Sequence, residues 1–216
     1  NRSALTTSWG SGYPAFGATN GGVLPIIGQL FNMDTSGTAS DRHGILAYSN
    51  SRAIVLDGCG VKNAGSYGIC AYRGSTIDAN GADASGAGTY GIYAARSSTI
   101  NAESADASGA GTCGIYAYRS STINAHGVNA SGAGFYGICA DRGSTINAES
   151  ADASGASSYG IYAQRGSLIN ANGADASGAS SYGICAYRGS LINADGATGT
   201  LYQTKNTLTV NGIIFQ

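Results

Sequence analysis

No stretch of this chain carries apolar residues at three-and-four spacing, and its 216 residues include 35 glycines and only 2 prolines. Without that spacing and with so much glycine, an α-solenoid is excluded. Leucine is scarce where the sequence is most regular: between residues 67 and 195 only Leu168 and Leu191 occur. A leucine-rich repeat needs several leucines per copy and is excluded as well. Charged residues make up 11%, the formal net charge is −1 and no basic tract occurs, so nucleic-acid binding by phosphate neutralisation is not expected. The most apolar run, VLPIIGQLF at 23–31, is too short to cross a bilayer and is broken by Pro25, so no membrane insertion is expected. No secretory signal or lipid-attachment motif is visible. The chain starts at Asn1 rather than methionine, which suggests a fragment or a processed product.

What the chain has is a register. Gly68, Gly91, Gly114, Gly137, Gly160 and Gly183 follow one another at intervals of 23 residues, and the text around them recurs, as in YGIYAARSSTINAESADASGAGT at 90–112 and YGIYAQRGSLINANGADASGASS at 159–181. A repeat this short cannot enclose its own core, so successive copies must stack and bury one another's apolar side. Within a copy the apolar positions come in three bursts: Ile69 with Ala71, Ile77 with Ala79, and Ala82 with Ala84. Spacing of two inside a burst is strand spacing. Arg-Gly-Ser, Asn-Gly and Ser-Gly-Ala-Gly between the bursts are turn chemistry.

Three short strands and three corners per copy predict an all-β fold, a right-handed single-stranded parallel β-helix. It is a three-sided solenoid of 23-residue coils with three parallel sheets along it. Coils climbing by about 4.8 Å each make the six copies a rod roughly 30 Å long. Ile69, Ile92, Ile115, Ile138, Ile161 and Ile184 should form one internal ladder, and Ile77, Ile100, Ile123, Ile146, Ile169 and Ile192 another. Alanine at the remaining inward positions predicts a narrow core.

The ends leave the register. Residues 1–40 contain no copy and are expected to cap the N-terminal end. Residues 41–200 form the β-helix, with a degenerate first coil of 24 residues from Gly44 to Gly68 and six regular coils from about residue 67. Residues 201–216 form a C-terminal cap, in which TLTVNGIIFQ predicts two strands joined in a hairpin at Asn211-Gly212. Caps or partner chains must cover the open ends of such a coil.

The five cysteines are not a disulfide framework. Cys70, Cys139 and Cys185 share one slot three and two coils apart, about 14 and 10 Å along the axis, too far to bond. Cys113 replaces the tyrosine before its glycine, and Cys59 lies in the irregular first coil. Unpaired thiols in odd number fit assembly in a reducing cytoplasm. No Cys-x-x-Cys or His-Cys cluster occurs, and His43 and His126 are far apart in coil number, so neither a metal nor a cofactor is expected.

Function has to lie on the outward faces. Alternation that puts Ile69 and Ala71 inside turns Cys70 and Tyr72 out, with Arg73 at the corner. Six copies build an exterior sheet rich in tyrosine, carrying Tyr72, Tyr93, Tyr116, Tyr118, Tyr162, Gln164 and Tyr187. An arginine ladder borders it: Arg73, Arg96, Arg119, Arg142, Arg165 and Arg188. Stacked like charges repel, and Asp83, Asp106, Asp152 and Asp175 on the third strand are candidates to neutralise them, within a coil or across to a neighbouring chain. Two readings of the face stand side by side. Aromatic and arginine enrichment is what the core of a trimer or bundle interface shows; it is also what binds sugar, through flat rings with polar tips and rigid donor forks.

A threonine ladder, Thr76, Thr99, Thr122 and Thr145, faces out on the second strand. An ice-binding array is set against the ordinary preference of β-branched residues for exposed strands, and Leu168 and Leu191 interrupt it. The neighbouring Asp78, Asn101, Asn124, Asn147, Asn170 and Asn193 predict an amide ladder. For catalysis on a glycan the candidates are Glu103 and Glu149, two coils or about 10 Å apart with His126 between them, and Asp141 on the tyrosine face. The first pair also fits a solvated corner, since the same slot holds Asn80, Asn172 and Asp195. No Ser-His-Asp order or phosphate loop appears.

The recurrent YGIYAxRGSTINAxGADASGA, the lead-in SDRHGILAYSNSRAIVLDGCGVKNAGSYGI and the terminal NTLTVNGIIFQ resemble the β-helical region of bacteriophage tail fibres and tailspikes over nearly all of residues 41–216. The resemblance implies a homotrimeric component of the virion tail, beside other tail proteins, assembled in the bacterial cytoplasm. It implies contact with bacterial surface polysaccharide, lipopolysaccharide or capsule. Some members of that family cleave the glycan in clefts on or between the β-helices; the long loop insertions that build such clefts are missing here. A rigid receptor-binding rod is therefore the first expectation, and a glycan depolymerase the alternative. A bacterial adhesin stands behind both.

Overall fold

The structure, a computed structural model, describes residues 14–27, 32–34, 43–199, 201–202 and 212–215. Its strands are short, parallel and stacked in sequence order. Among the described residues, nine form a wide sheet that runs from Phe16–Thr19 to Leu201–Tyr202. Its central members are the six-residue strands Tyr67–Tyr72, Tyr90–Ala95, Cys113–Tyr118, Tyr136–Asp141, Tyr159–Gln164 and Tyr182–Tyr187. Eight three-residue strands, from Arg52–Ile54 to Ile213–Phe215, form a narrow sheet on the second side. Each residue lies opposite its equivalent one copy away: Ile115 faces Ile92 and Ile138, and Ile123 faces Ile100 and Ile146. The coiling expected from the 23-residue interval is what the chain adopts.

The third side is thinner than the sequence predicts. A line of single-residue bridges, Gly60–Asp83–Asp106–Asn129–Asp152–Asp175–Thr198, takes the place of a third sheet. The cause is local. Ala82-Asp83-Ala84 is hemmed by a turn on each side, which leaves one residue to bridge between two inward alanines.

Both isoleucine ladders are fully buried and, with the alanines, form one cluster from Ile27 to Ile214. Each buried isoleucine contributes about 1.5–3 kcal/mol. The core is narrow enough to explain the glycine register. A methyl group at Gly114 would lie 2.6 Å from Cβ of Ala130 on its own coil and 2.9 Å from the Gly137 carbonyl oxygen of the next. Only a residue without Cβ lets the wide strand approach both.

A buried serine column follows the arginine corner: Ser51, Ser75, Ser98, Ser121, Ser144, Ser167 and Ser190 are each 1–2% exposed. The Ser98 hydroxyl donates to the Ala95 carbonyl at 2.8 Å and accepts from the Ser75 amide at 3.2 Å. The same amide-to-hydroxyl bond links the column from Ser51 to Ser190. A buried hydroxyl is tolerated when both its roles are filled. On the narrow sheet the amide ladder forms as expected, with Asn124 donating to Asn101 at 2.9 Å, and Asn147 to Asn124 and Asn170 to Asn147 at 3.1 Å.

At the arginine corner two successive residues take left-handed backbone, as Arg119 (φ 53°) and Ser120 (φ 58°) do. Four copies put glycine at the second position, Gly74, Gly143, Gly166 and Gly189, whereas Ser97 and Ser120 carry the strain of a side chain there. Ser120→Gly is accordingly expected to raise unfolding stability by about 0.5–1 kcal/mol. A shift of the urea midpoint to higher concentration checks it; a shift to lower concentration contradicts it.

The described part of the 1–40 segment is itself coiled. Phe16–Thr19 pairs with Ile45–Tyr48, Val23 bridges Arg52, Ile27 bridges Val55, and Asn32–Asp34 pairs with Gly60–Lys62. These described residues add a coil to the stack that shares no wording with the copies. At the other end Ile213–Phe215 lies parallel to Leu191–Asn193. The first strand expected for the hairpin, with Asn211, falls outside the described residues.

Candidate functional site

The outer face of the wide sheet is built from three columns, one more than simple alternation gives. Cys70 and Tyr72 face out as expected. Tyr67 joins them, because Gly68 and Ile69 both turn inward: a Cβ on Gly68 would meet Ala84 at 2.7 Å, and Ile69 is in the core. Tyr67 instead packs with Cys70, Tyr72 and Tyr93 in a second apolar cluster separate from the core. The column before the glycine, Tyr67, Tyr90, Tyr136, Tyr159 and Tyr182, therefore belongs to the face. Its signal in the sequence is the tyrosine that precedes five of the six register glycines, Cys113 standing in the sixth place.

The rings stack along the rod. His43 lies 4.5 Å from Tyr67, and Tyr67 lies 5.1 Å from both Tyr90 and Tyr93. Tyr93 meets Tyr116 at 5.5 Å, and Tyr116 meets Tyr118 at 5.7 Å. A second run links Tyr136, Tyr159, Tyr162 and Tyr182. Beneath this layer Cys70 and Cys139 are buried although they point away from the core. Burial pushes the Cys70 thiol up to about 12 and raises Cys139 well above its ordinary value. It also raises the phenols, Tyr90 to about 12 and Tyr93 and Tyr116 further. All five cysteines are free and buried.

The arginine ladder is partnered differently from the sequence expectation. Asp83, Asp106, Asp152 and Asp175 do not reach it. Asp83 pairs with Lys62 at 2.7 Å, and Asp106, Asp152 and Asp175 accept from the backbone amides of Ser108, Ser154 and Ser177 at 3.0, 2.9 and 2.9 Å. These are short Asx turns on the far side of the coil. Partial burial raises the Asp83 carboxyl, but the bonds from Lys62 and Ser85 outweigh it and leave it below the usual value.

The arginines lie on tyrosine faces instead. Arg73 sits 5.1 Å from the Tyr48 ring and 5.9 Å from Tyr72, and Arg96 4.9 Å from Tyr72. Arg119 and Arg142 share Tyr118 at 5.0 and 5.2 Å, and Arg188 covers Tyr187 at 5.1 Å. Each such contact is worth about 0.5–1 kcal/mol at an exposed site. Arg119 and Arg188 cover the tyrosine of their own coil, Arg96 and Arg142 the preceding coil's because their own slots hold Ala95 and Asp141, and Arg73 lies over both. Arg165, beside Gln164, turns to Asp141 at 3.0 Å. Gln164 accepts from the Tyr162 hydroxyl at 3.3 Å.

Where the middle column is small, the face opens. Leu46 and Cys70 floor a slot of about 350 Å³ walled by Tyr48 and Tyr72 on one side, His43 and Tyr67 on the other, and Tyr93 at one end. Tyr48 and Tyr72 are parallel, 5.6 Å between centroids and 7° between planes. A slot with two flat aromatic walls, phenol tips and a guanidinium at its rim suits a pyranose ring, apolar on its faces and polar at its edge.

The weak catalytic candidates scatter. Asp141 is 2% exposed and is engaged by Arg165 and, at 3.5 Å, by the Tyr116 hydroxyl. Glu103 and Glu149 are exposed at separate turns. Glu103 shares a shallow depression of about 250 Å³ with Asp57 and Asn80, and Asn80 accepts from the Glu103 amide at 3.0 Å. Among the described residues no group of three or more His, Cys, Asp or Glu side chains could hold a metal ion.

Residues 32–173 match the model of the right handed beta helix region. The chain belongs to the right-handed β-helix family. The hand expected for its parallel connections is that of the family, and the matched segment takes in the slot, the stacked face as far as Tyr162 and five of the six register glycines, Gly68 to Gly160. No curated protein sequence matches the chain.

Proposed function

We propose that this β-helix is a rod segment of a bacteriophage tail fibre or tailspike that attaches to bacterial surface glycan through its tyrosine–arginine face. The observation that carries the proposal is the aromatic slot at Tyr48, Tyr67, Tyr72 and Tyr93, a preformed seat for a sugar ring on the stacked face. The rod acts as a homotrimer beside other virion tail proteins, after assembly in the bacterial cytoplasm. Buried reduced thiols suit that compartment.

The test is titration of the full chain with a panel of purified lipopolysaccharides and capsular polysaccharides, in parallel with Tyr72→Ala. At least one glycan is expected to bind, and Tyr72→Ala is expected to weaken it tenfold or more, because the slot loses a wall and Arg96 its platform. No binding across the panel, or binding indifferent to Tyr72→Ala, would count against the assignment. Light scattering gives the assembly state: a stable monomer of 21.5 kDa would remove the trimer.

Glycan cleavage is the second reading, and one observation favours it: Asp57 and Glu103 flank Asn80 in one depression, two coils or about 10 Å apart. That lies at the edge of the spacing for an inverting glycosidase. New reducing ends in the same incubations, lost in Glu103→Gln, would establish it.

A further inference from the structure

Charge is segregated around the coil. In the six regular copies the only arginines are Arg73, Arg96, Arg119, Arg142, Arg165 and Arg188, all at one exposed corner. The acidic residues, Asp141 excepted, lie on the narrow sheet, the bridge line and the far corners. Among the described residues only Arg165 of the six has a carboxylate partner. Guanidiniums one coil apart repel each other by about 1 kcal/mol even in water.

The turn does not require arginine. All six take left-handed backbone, φ 49–56°, which costs a residue with a side chain about 1 kcal/mol. At the equivalent corner of the first coil the small Ser49 stands in place of arginine, φ 56°. A strained, self-repelling row of cations kept at every copy is explained by something anionic that lies along it. The aromatic slot opens onto this row, since Arg73 covers both Tyr48 and Tyr72.

We propose that the ligand is an acidic polysaccharide lying along the rod, its sugar rings on the tyrosine face and its carboxylates on the stripe Arg73–Arg96–Arg119–Arg142. The proposal rests on the glycan-attachment reading and narrows it to an anionic chain. Stacking over tyrosine holds each guanidinium flat and leaves its donor edge for a carboxylate. Coil rise sets the cations about 4.8 Å apart, so a carboxylate lying between two of them is answered by both. Asp141, which takes up Arg165, ends the stripe.

The experiment uses the full chain with three probes: hyaluronan, hyaluronan with its carboxylates methyl-esterified, and polyadenylate. Binding is measured against salt for the native sequence, for Arg96→Gln combined with Arg119→Gln, and for Arg52→Gln, an exposed arginine off the face. Hyaluronan is expected to bind at least tenfold more tightly than its ester, to weaken with salt, and to lose tenfold or more in the double variant but less than twofold in Arg52→Gln. Equal binding of ester and acid overturns the anionic assignment while attachment to glycan stands. Failure of these probes together with the whole lipopolysaccharide and capsule panel overturns both. Polyadenylate bound as tightly as hyaluronan, and lost in the same variant, overturns the choice of a glycan. A fall in solution mass in the double variant overturns it in favour of a contact between copies.

Discussion

Gly114→Val is expected to abolish the cooperative unfolding transition of the rod, at a cost of about 4 kcal/mol or more. The obstruction is backbone as well as side chain: the new carbon atoms meet Ala130 within the coil and the Gly137 carbonyl in the next. Relief on one side closes the other, so the coils must be levered apart. Gly114→Ala meets the same atoms with one methyl and should cost about 1–3 kcal/mol. Because neighbouring coils supply one another's core, a failed interface in the middle divides the stack rather than loosening one turn. Circular dichroism during thermal melting reads both effects, and melting midpoints unchanged in the two variants would refute this account of the glycine register.

The rod is also expected to lose stability steeply in alkali. Burial holds Cys70 at about 12 and raises the Cys113 and Cys139 thiols as well. The unfolded chain gives up these protons near pH 8.5, so stability is intact below that value and falls as pH rises towards the folded values. Each thiol removes about 1.4 kcal/mol per pH unit across that window. By pH 10 Cys70 alone costs about 2 kcal/mol, and Cys113 and Cys139 act in the same direction. The raised phenols of Tyr90, Tyr93 and Tyr116 act in the same direction. Urea midpoints under reductant, followed from pH 7 to 11, should drop steeply in the native sequence and less steeply in Cys139→Ala. A flat profile would mean that the tyrosine layer does not seal these thiols.

The coil was legible in the sequence because every inward position repeats: Ile115 and Ile123 have the same neighbours in each copy, so period and register are written six times. The face was legible only in part. Alternation found Tyr72 and Tyr93 but fails at Gly68, where two successive residues turn inward, and Tyr67 is thereby displaced to the outside. The partners of the arginines were not legible. Asp83 and its equivalents were the opposite charges that recur most regularly in the copies, but their own serine turns hold them across the coil, while the rings of Tyr48, Tyr72, Tyr118 and Tyr187 lie directly under the guanidiniums. Periodicity reports what each coil shares; the slot exists because Leu46 and Cys70 are small where Tyr93 and Tyr116 are large.

The serine column gives the rod a polarity that its near-identical copies conceal. From Ser75 onward each hydroxyl serves the amide of the coil before it, so a cut between two copies would leave an unanswered N–H on one fragment and an idle oxygen on the other. The two cut surfaces would not be interchangeable, and fragments could rejoin only head to tail. Gly212 stands opposite Ser190 by register and brings no side-chain hydroxyl, and a side chain there would strike the Ala186 carbonyl. The relay therefore has a chemically marked terminus, a stop signal set in the stacking direction.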